Sequence, residues 1–105
     1  MERLKNDQGI TKIVMKPVAF TKCIIGQDWF KNDLEVEMIP GDCYPDYMQI
    51  QGFVMDQIDG HELNIEDVVD ILYDMIKTEF HPAYLKVTDY IRGSKTHFDV
   101  IVTKE

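Results

Sequence analysis

Ile65-Glu66-Asp67-Val68-Val69-Asp70-Ile71-Leu72-Tyr73-Asp74-Met75-Ile76-Lys77-Thr78-Glu79-Phe80 is the stretch whose reading decides the fold. Ile65, Val68, Val69, Leu72, Ile76 and Phe80 recur at three- and four-residue spacing, while Glu66, Asp67, Asp70, Asp74 and Lys77 take the opposite side. That period predicts an α-helix with one apolar stripe and one wet stripe. Asn64 is a good N-cap, Asp67 three residues on resembles a capping box with a shorter acid, and Pro82 stops the helix.

On both sides of the helix the period changes to two. Residues 84–91 and 96–103 alternate as two strands around Arg92-Gly93-Ser94, a hairpin signal. Upstream, residues 10–25 are rich in β-branched side chains and read as a long strand broken near Pro17. Residues 26–32 look turn-like. Leu34, Val36 and Met38 then alternate with Glu35 and Glu37 as a half-exposed strand that Pro40-Gly41-Asp42 ends. Residues 45–59 suit either state; Tyr47, Ile50, Val54 and Ile58 lie close to one helical stripe, so a helix is preferred, although Gly52 weakens both readings. Residues 1–9 are polar and expected to fray, with residues 10–105 as a single domain. The expected architecture is α+β, a four-stranded antiparallel sheet with helices packed on one face. The other face must be polar, through Glu35, Glu37 and Lys86, or covered by another subunit.

The 105 residues suffice for one core, and 45% apolar residues is ordinary for a globular chain. A formal charge of −8 with dispersed basic residues weighs against direct binding of tRNA or DNA, because it supplies no counterion-release term. No apolar run reaches membrane-spanning length and residues 1–9 carry no leader pattern, so a cytoplasmic protein is expected. Cys23 and Cys43 are too few for a disulfide framework, and His61, His81 and His97 are scattered, so no structural metal is expected.

Cys23 stands at a strand end, followed by a turn containing Gly26, Gln27 and Asp28. A thiol beside an acid that can carry protons is a candidate nucleophile, and equally a small residue that prefers burial. Asp28 is equally an ordinary turn acid. Trp29 and Phe30 next to it suit stacking on a purine-like base, or covering a core edge.

Four separated pieces resemble one family: Phe20-Thr21-Lys22-Cys23 with Gly26-Gln27, Ile39-Pro40, Ile65-Glu66-Asp67, and Pro82-Ala83-Tyr84-Leu85-Lys86-Val87 followed by Arg92-Gly93. Together they are similar to the 7-cyano-7-deazaguanine reductases (QueF) and their QueF-like, archaeosine-forming amidinotransferase relatives. The resemblance implies a tunnelling fold (T-fold) whose subunits assemble into an oligomeric barrel with active sites at subunit interfaces. It puts Cys23 on the family's nucleophile, which adds to a nitrile carbon to give a thioimide, and Glu66 on the glutamate that anchors the deazaguanine. A carboxylate suits that task because N1–H and the exocyclic amine lie side by side, although Glu66 is also an ordinary first-turn acid.

The chain departs from the family phrase at three places. Ile24 replaces a proline after Cys23, and the turn is shorter, which makes Asp28 the first choice of proton donor and Asp33 the second; an ungapped alignment puts Phe30 there. Ile65 stands where the family has a histidine, so His61 or Glu62 from the preceding loop is the candidate substitute. Residues 46–56 contain no Lys or Arg, whereas the reductases grip NADPH phosphates with cations there. The expected sites are therefore catalytic Cys23 and Asp28 and substrate-binding Glu66, His61 and Trp29, with no cofactor or metal. The expected partners are 7-cyano-7-deazaguanine, or a nucleic acid carrying it, and other copies of the chain. Amidine formation is favoured; NADPH-dependent nitrile reduction and a non-catalytic T-fold binding or assembly protein are the alternatives.

Overall fold

The spine of the molecule is an eleven-residue strand, Trp29–Ile39, with a neighbour on each side. The computed structural model describes residues 1–93 and 98–105. In chain order its elements are β1 (Arg3–Lys5), β2 (Ile13–Met15), β3 (Val18–Lys22), β4 (Trp29–Ile39), β5 (Cys43–Pro45), α1 (Tyr47–Gln57), α2 (Ile65–Phe80), β6 (Tyr84–Ile91) and β7 (Val100–Lys104). β2 and β3 both pair antiparallel with β4, β6 pairs with its other side, and β7 pairs with β6. β2 and β3 are one strand interrupted at Lys16-Pro17. Ile13 faces Met38 and Val18 faces Asp33, so the register continues unchanged across the break. Pro17 lacks an N–H, which an edge strand tolerates, and its carbonyl still accepts the Leu34 N–H at 2.9 Å.

The alternation of β4 sorts its side chains. Asn32, Leu34, Val36 and Met38 are buried toward the helices, and Lys31, Asp33, Glu35 and Glu37 lie on the other face. α2 covers the sheet with Val68, Val69, Leu72, Ile76 and Phe80, all buried, together with Tyr73. Ile65 is only half-buried. α1 and its C-cap add Ile50, Val54 and Ile58 at four-residue spacing, whereas Tyr47, expected in that stripe, is half-exposed. Burial of each large aliphatic or aromatic side chain stabilises by about 1.5–3 kcal/mol, so these residues hold the layers together. The Asp67 carboxylate accepts the Asn64 N–H at 3.2 Å, one half of the capping box. His81 ends α2 in the left-handed region, just before Pro82.

Three expectations change. The turn expected over residues 26–32 is shorter, because β4 begins at Trp29; buried Asn32 bonds across to the Ala19 carbonyl (3.1 Å) and Thr21 Oγ1 (2.8 Å). Residues 1–9, expected to fray, contribute β1, which pairs with β5; Arg3 also donates to the Glu79 carbonyl (2.6 Å) near the end of α2. The strand expected over residues 96–103 is described from Val100, and residues 94–97 of the expected hairpin lie outside the described residues.

The helix-free face is polar along its centre and apolar at its margins. Glu37 pairs with Lys12 (2.6 Å) and Glu35 accepts from Tyr90 (3.1 Å). Val14, Val18 and Phe20 on the β2–β3 edge, and Ile101 on β7, are exposed. Among the described residues, no helix is long and apolar enough to cross a membrane.

Candidate active site

The register that pairs Lys22 with Trp29 sets Cys23 opposite Asp28 at the tip of the β3–β4 hairpin. The Cys23 N–H donates to the Asp28 carbonyl (2.8 Å), and the Gln27 N–H donates back to the Cys23 carbonyl (2.9 Å). Residues directly opposite in such a pair point to one face. For Cys23 this is the helix side, in phase with buried Ala19 and Thr21. Cys23 itself is half-buried, and the Gly26 N–H donates to its Sγ at 3.4 Å. Asp28 is exposed to solvent on that face. The pair can present a sulfur nucleophile and a proton-carrying group to one side of an electrophile.

Trp29, one residue on, projects from the opposite face and is 56% exposed. Half-buried Phe30 is the aromatic that shares the face of Cys23 and Asp28. Asp33 lies about 17 Å further along β4. It faces away from the helices, between Lys31 (3.7 Å) and Arg92 (3.8 Å), so it is removed from Cys23.

The segment leading into α2 clips onto the outer edge of β3. Phe20 N–H donates to Asp59 Oδ1 (2.8 Å) and its carbonyl accepts from Gly60 (2.7 Å). Lys22 N–H donates to the His61 carbonyl (3.0 Å) and its carbonyl accepts from Leu63 (3.0 Å). Gly60 sits at φ 78°, a conformation that only glycine adopts without strain. His61 does not turn toward Cys23: its Nε2 meets the Asp56 carbonyl in the last turn of α1 at 2.8 Å. Glu62 does, and its Oε1 accepts the Gln27 side-chain amide at 3.0 Å.

Glu66 occupies the first turn of α2. It borders a shallow groove of about 370 Å³ with Val69, Val102 and Lys104, between α2 and β7. β4 and β6 intervene between β3 and β7, a span of about 14 Å. Among the described residues, one chain gathers Cys23, Asp28, Gln27 and Glu62, while Glu66, three residues beyond the Leu63 that bonds to Lys22, borders the β7 groove. A larger cavity of about 610 Å³ opens between the β2–β3 edge and α1, lined by Val18, Phe20, Tyr47, Val54, Met55 and Asp59.

Asp89 was not anticipated. It faces the helix-covered core from β6, fully buried, and neither carboxylate oxygen has a hydrogen-bond partner among the described residues. Asn32, diagonally across on β4, also has a buried Oδ1 without a partner among the described residues. Burial, reinforced by the charge of Asp33, pushes the Asp89 carboxyl up to about 7. The signal was present in the sequence: Leu85, Val87 and Ile91 fix the inward phase, and Asp89 falls in it. Cys43 packs near the end of α2, its thiol against the Phe80 carbonyl (3.6 Å). Among the described residues, no group of three or more His, Cys, Asp or Glu side chains is arranged to hold a metal ion.

No family model matches the chain, and no curated protein matches it. Among solved structures it is similar to the archaeosine synthase QueF-Like in its apo form, with TM-score 0.77 and 21% identity over 90% of this chain and 94% of that one. It is also similar to a candidate dihydroneopterin aldolase (FolB) from Vibrio cholerae O1 biovar El Tor, with TM-score 0.63 and 20% identity over 89% and 95%. Coverage this complete on both sides establishes the tunnelling fold for the chain as a whole.

Proposed function

We propose that this tunnelling-fold chain is an enzyme of 7-deazaguanine chemistry that acts on the nitrile of 7-cyano-7-deazaguanine, free or in a nucleic acid, through a Cys23 thioimide. The observation that carries the reading is the cross-strand pairing of Cys23 with Asp28 on one face of the hairpin tip. Asp28 accepts the Cys23 thiol proton as the sulfur adds to the nitrile carbon, forming the S–C bond, and passes that proton to the nitrile nitrogen. Ammonia or another nitrogen donor then adds to the thioimide carbon, a proton passes from the added nitrogen through Asp28 to the sulfur as the C–S bond breaks, and an amidine leaves with the Cys23 thiol restored. Reduction is disfavoured because α1 carries no Lys or Arg to meet dinucleotide phosphates.

Glu66 is proposed to accept N1–H and the exocyclic amine of the base, a pair of donors that deazaguanines and pterins share. Its place on the β7 side supports a site completed by a second copy, with the β7 edge of one chain beside the β2–β3 edge of the next. The exposed apolar side chains at both edges support the same assembly.

Intact-mass analysis after incubation with 7-cyano-7-deazaguanine tests the reading. The unvaried chain should gain the ligand mass and Cys23→Ala should not. No adduct on the unvaried chain refutes the proposal, and binding without an adduct favours a non-catalytic T-fold protein. Substrate-dependent loss of nicotinamide absorbance would put the reductive course in place of amidine formation.

A further inference from the structure

Gln27 has a backbone conformation that its residue type seldom adopts. Its φ is 58°, in the left-handed region, where a side chain other than Gly, Asn or Asp is uncommon and costs roughly 1 kcal/mol or more. Glycine at this position would remove that strain. The conformation is held in place by the side chain. Gln27 Nε2 donates to the Ile24 carbonyl (2.8 Å), to the Cys23 carbonyl (3.4 Å) and to Glu62 Oε1 (3.0 Å). Two of these bonds stay within the Cys23 turn. The third leaves it for a residue 35 positions away.

Glu62 is itself fixed. It bridges to Lys22 in parallel fashion, between the His61 carbonyl and the Leu63 N–H that bond to the Lys22 backbone. The turn that bears Cys23 is thus anchored from both ends of one short path, through the Lys22 backbone and through the Gln27 side chain. We infer that Gln27 is a positioning residue, whose amide clasps the Cys23 turn to Glu62 and so fixes the direction from which Cys23 Sγ meets a planar electrophile. The clasp rests on the reading of Cys23 as the nucleophile. It adds a residue whose effect is on geometry, since a sulfur displaced by an ångström loses the near-attack arrangement while remaining exposed.

The test compares Gln27→Gly, Glu62→Ala and Glu62→Gln with the unvaried chain. Glycine keeps the φ of the turn, so Gln27→Gly removes the clasp without refolding the backbone. The rate of adduct formation at saturating 7-cyano-7-deazaguanine should fall about tenfold or more in Gln27→Gly and Glu62→Ala, with the half-saturating concentration within about twofold. Glu62→Gln keeps an acceptor oxygen for the Gln27 amide and should recover most of that rate. Alkylation of Cys23 by iodoacetamide, which needs no fixed orientation, should change by less than about threefold in all three. Equal losses of adduct formation and alkylation would overturn the inference, because they report exposure in place of direction. Amide exchange at Gly26 and Gln27 separates this inference from the proposed function. If the unvaried chain forms no adduct, faster exchange in Gln27→Gly and Glu62→Ala alone upholds the clasp, and unchanged exchange overturns it.

Discussion

Replacing Asp89 with Asn should flatten one component of the protein's pH dependence. Asp89 is fully buried on β6 with no partner for either oxygen among the described residues, and its carboxyl is pushed from 3.8 up to about 7, first by burial and then by Asp33. Between these values the folded chain holds a proton that the unfolded chain has released. The unfolded state then binds fewer protons, so stability falls as pH rises. The contribution is fully present below about pH 4, is lost progressively up to about pH 7, and is constant above that. The size of the displacement corresponds to about 4 kcal/mol, a large share of a small domain's stability. Urea unfolding followed by circular dichroism at several pH values from 4 to 8 measures it, with Asp89→Asn run in parallel. The difference in unfolding free energy between the two proteins should shift by about 4 kcal/mol in favour of Asn across that range. Groups common to both cancel, including Glu37, whose carboxyl is lowered by its hydrogen bond from Lys12 and acts in the opposite sense. A difference that stays within about 1 kcal/mol from pH 4 to 8 would refute the argument that Asp89 is buried in its neutral form.

Two glycines should respond oppositely to alanine. Gly52→Ala on the exposed side of α1, where an added methyl meets nothing within 4 Å, should stabilise by about 0.5–1 kcal/mol in thermal unfolding. Gly60→Ala, at φ 78° with equally open surroundings, should destabilise by about 1 kcal/mol or more, and an increase in stability there would contradict the clip on β3. Leu72→Ala opens a cavity beneath α2 and should cost about 2–5 kcal/mol in urea titrations; a cost below 1 kcal/mol would mean that α2 does not seal the core as described. Val14→Lys or Ile101→Lys, each placing a charge on a free sheet edge, should return the proposed assembly to single chains, read as molar mass by light scattering. An unchanged mass above that of one chain would rule out edge-to-edge pairing.

The sequence by itself determined the elements that repeat locally. α2 was legible because Val68, Leu72 and Ile76 recur at a period that only a helix turns into one face, and β4 and β6 because their inward residues alternate. The same alternation, carried back to residue 29 and forward to residue 89, would have shown Trp29 pointing away from Asp28 and Asp89 pointing into the core. Reading residues 26–32 as a turn hid the first of these. Tertiary structure alone decided the rest. Cys23 stands opposite Asp28 because the β2–β3 and β4 register is fixed along its whole length by core packing, not by the residues of the turn. His61 turns to α1 and Glu62 to Gln27 because residues 59–63 bond to the edge of β3, a contact between segments some forty positions apart. Glu66 borders β7 because α2, entering from the edge of β3, packs over β6 and β7. Periodicity carries the information that lies within an element. Which faces and edges meet is set by contacts between elements distant in sequence, and these form only when the core closes.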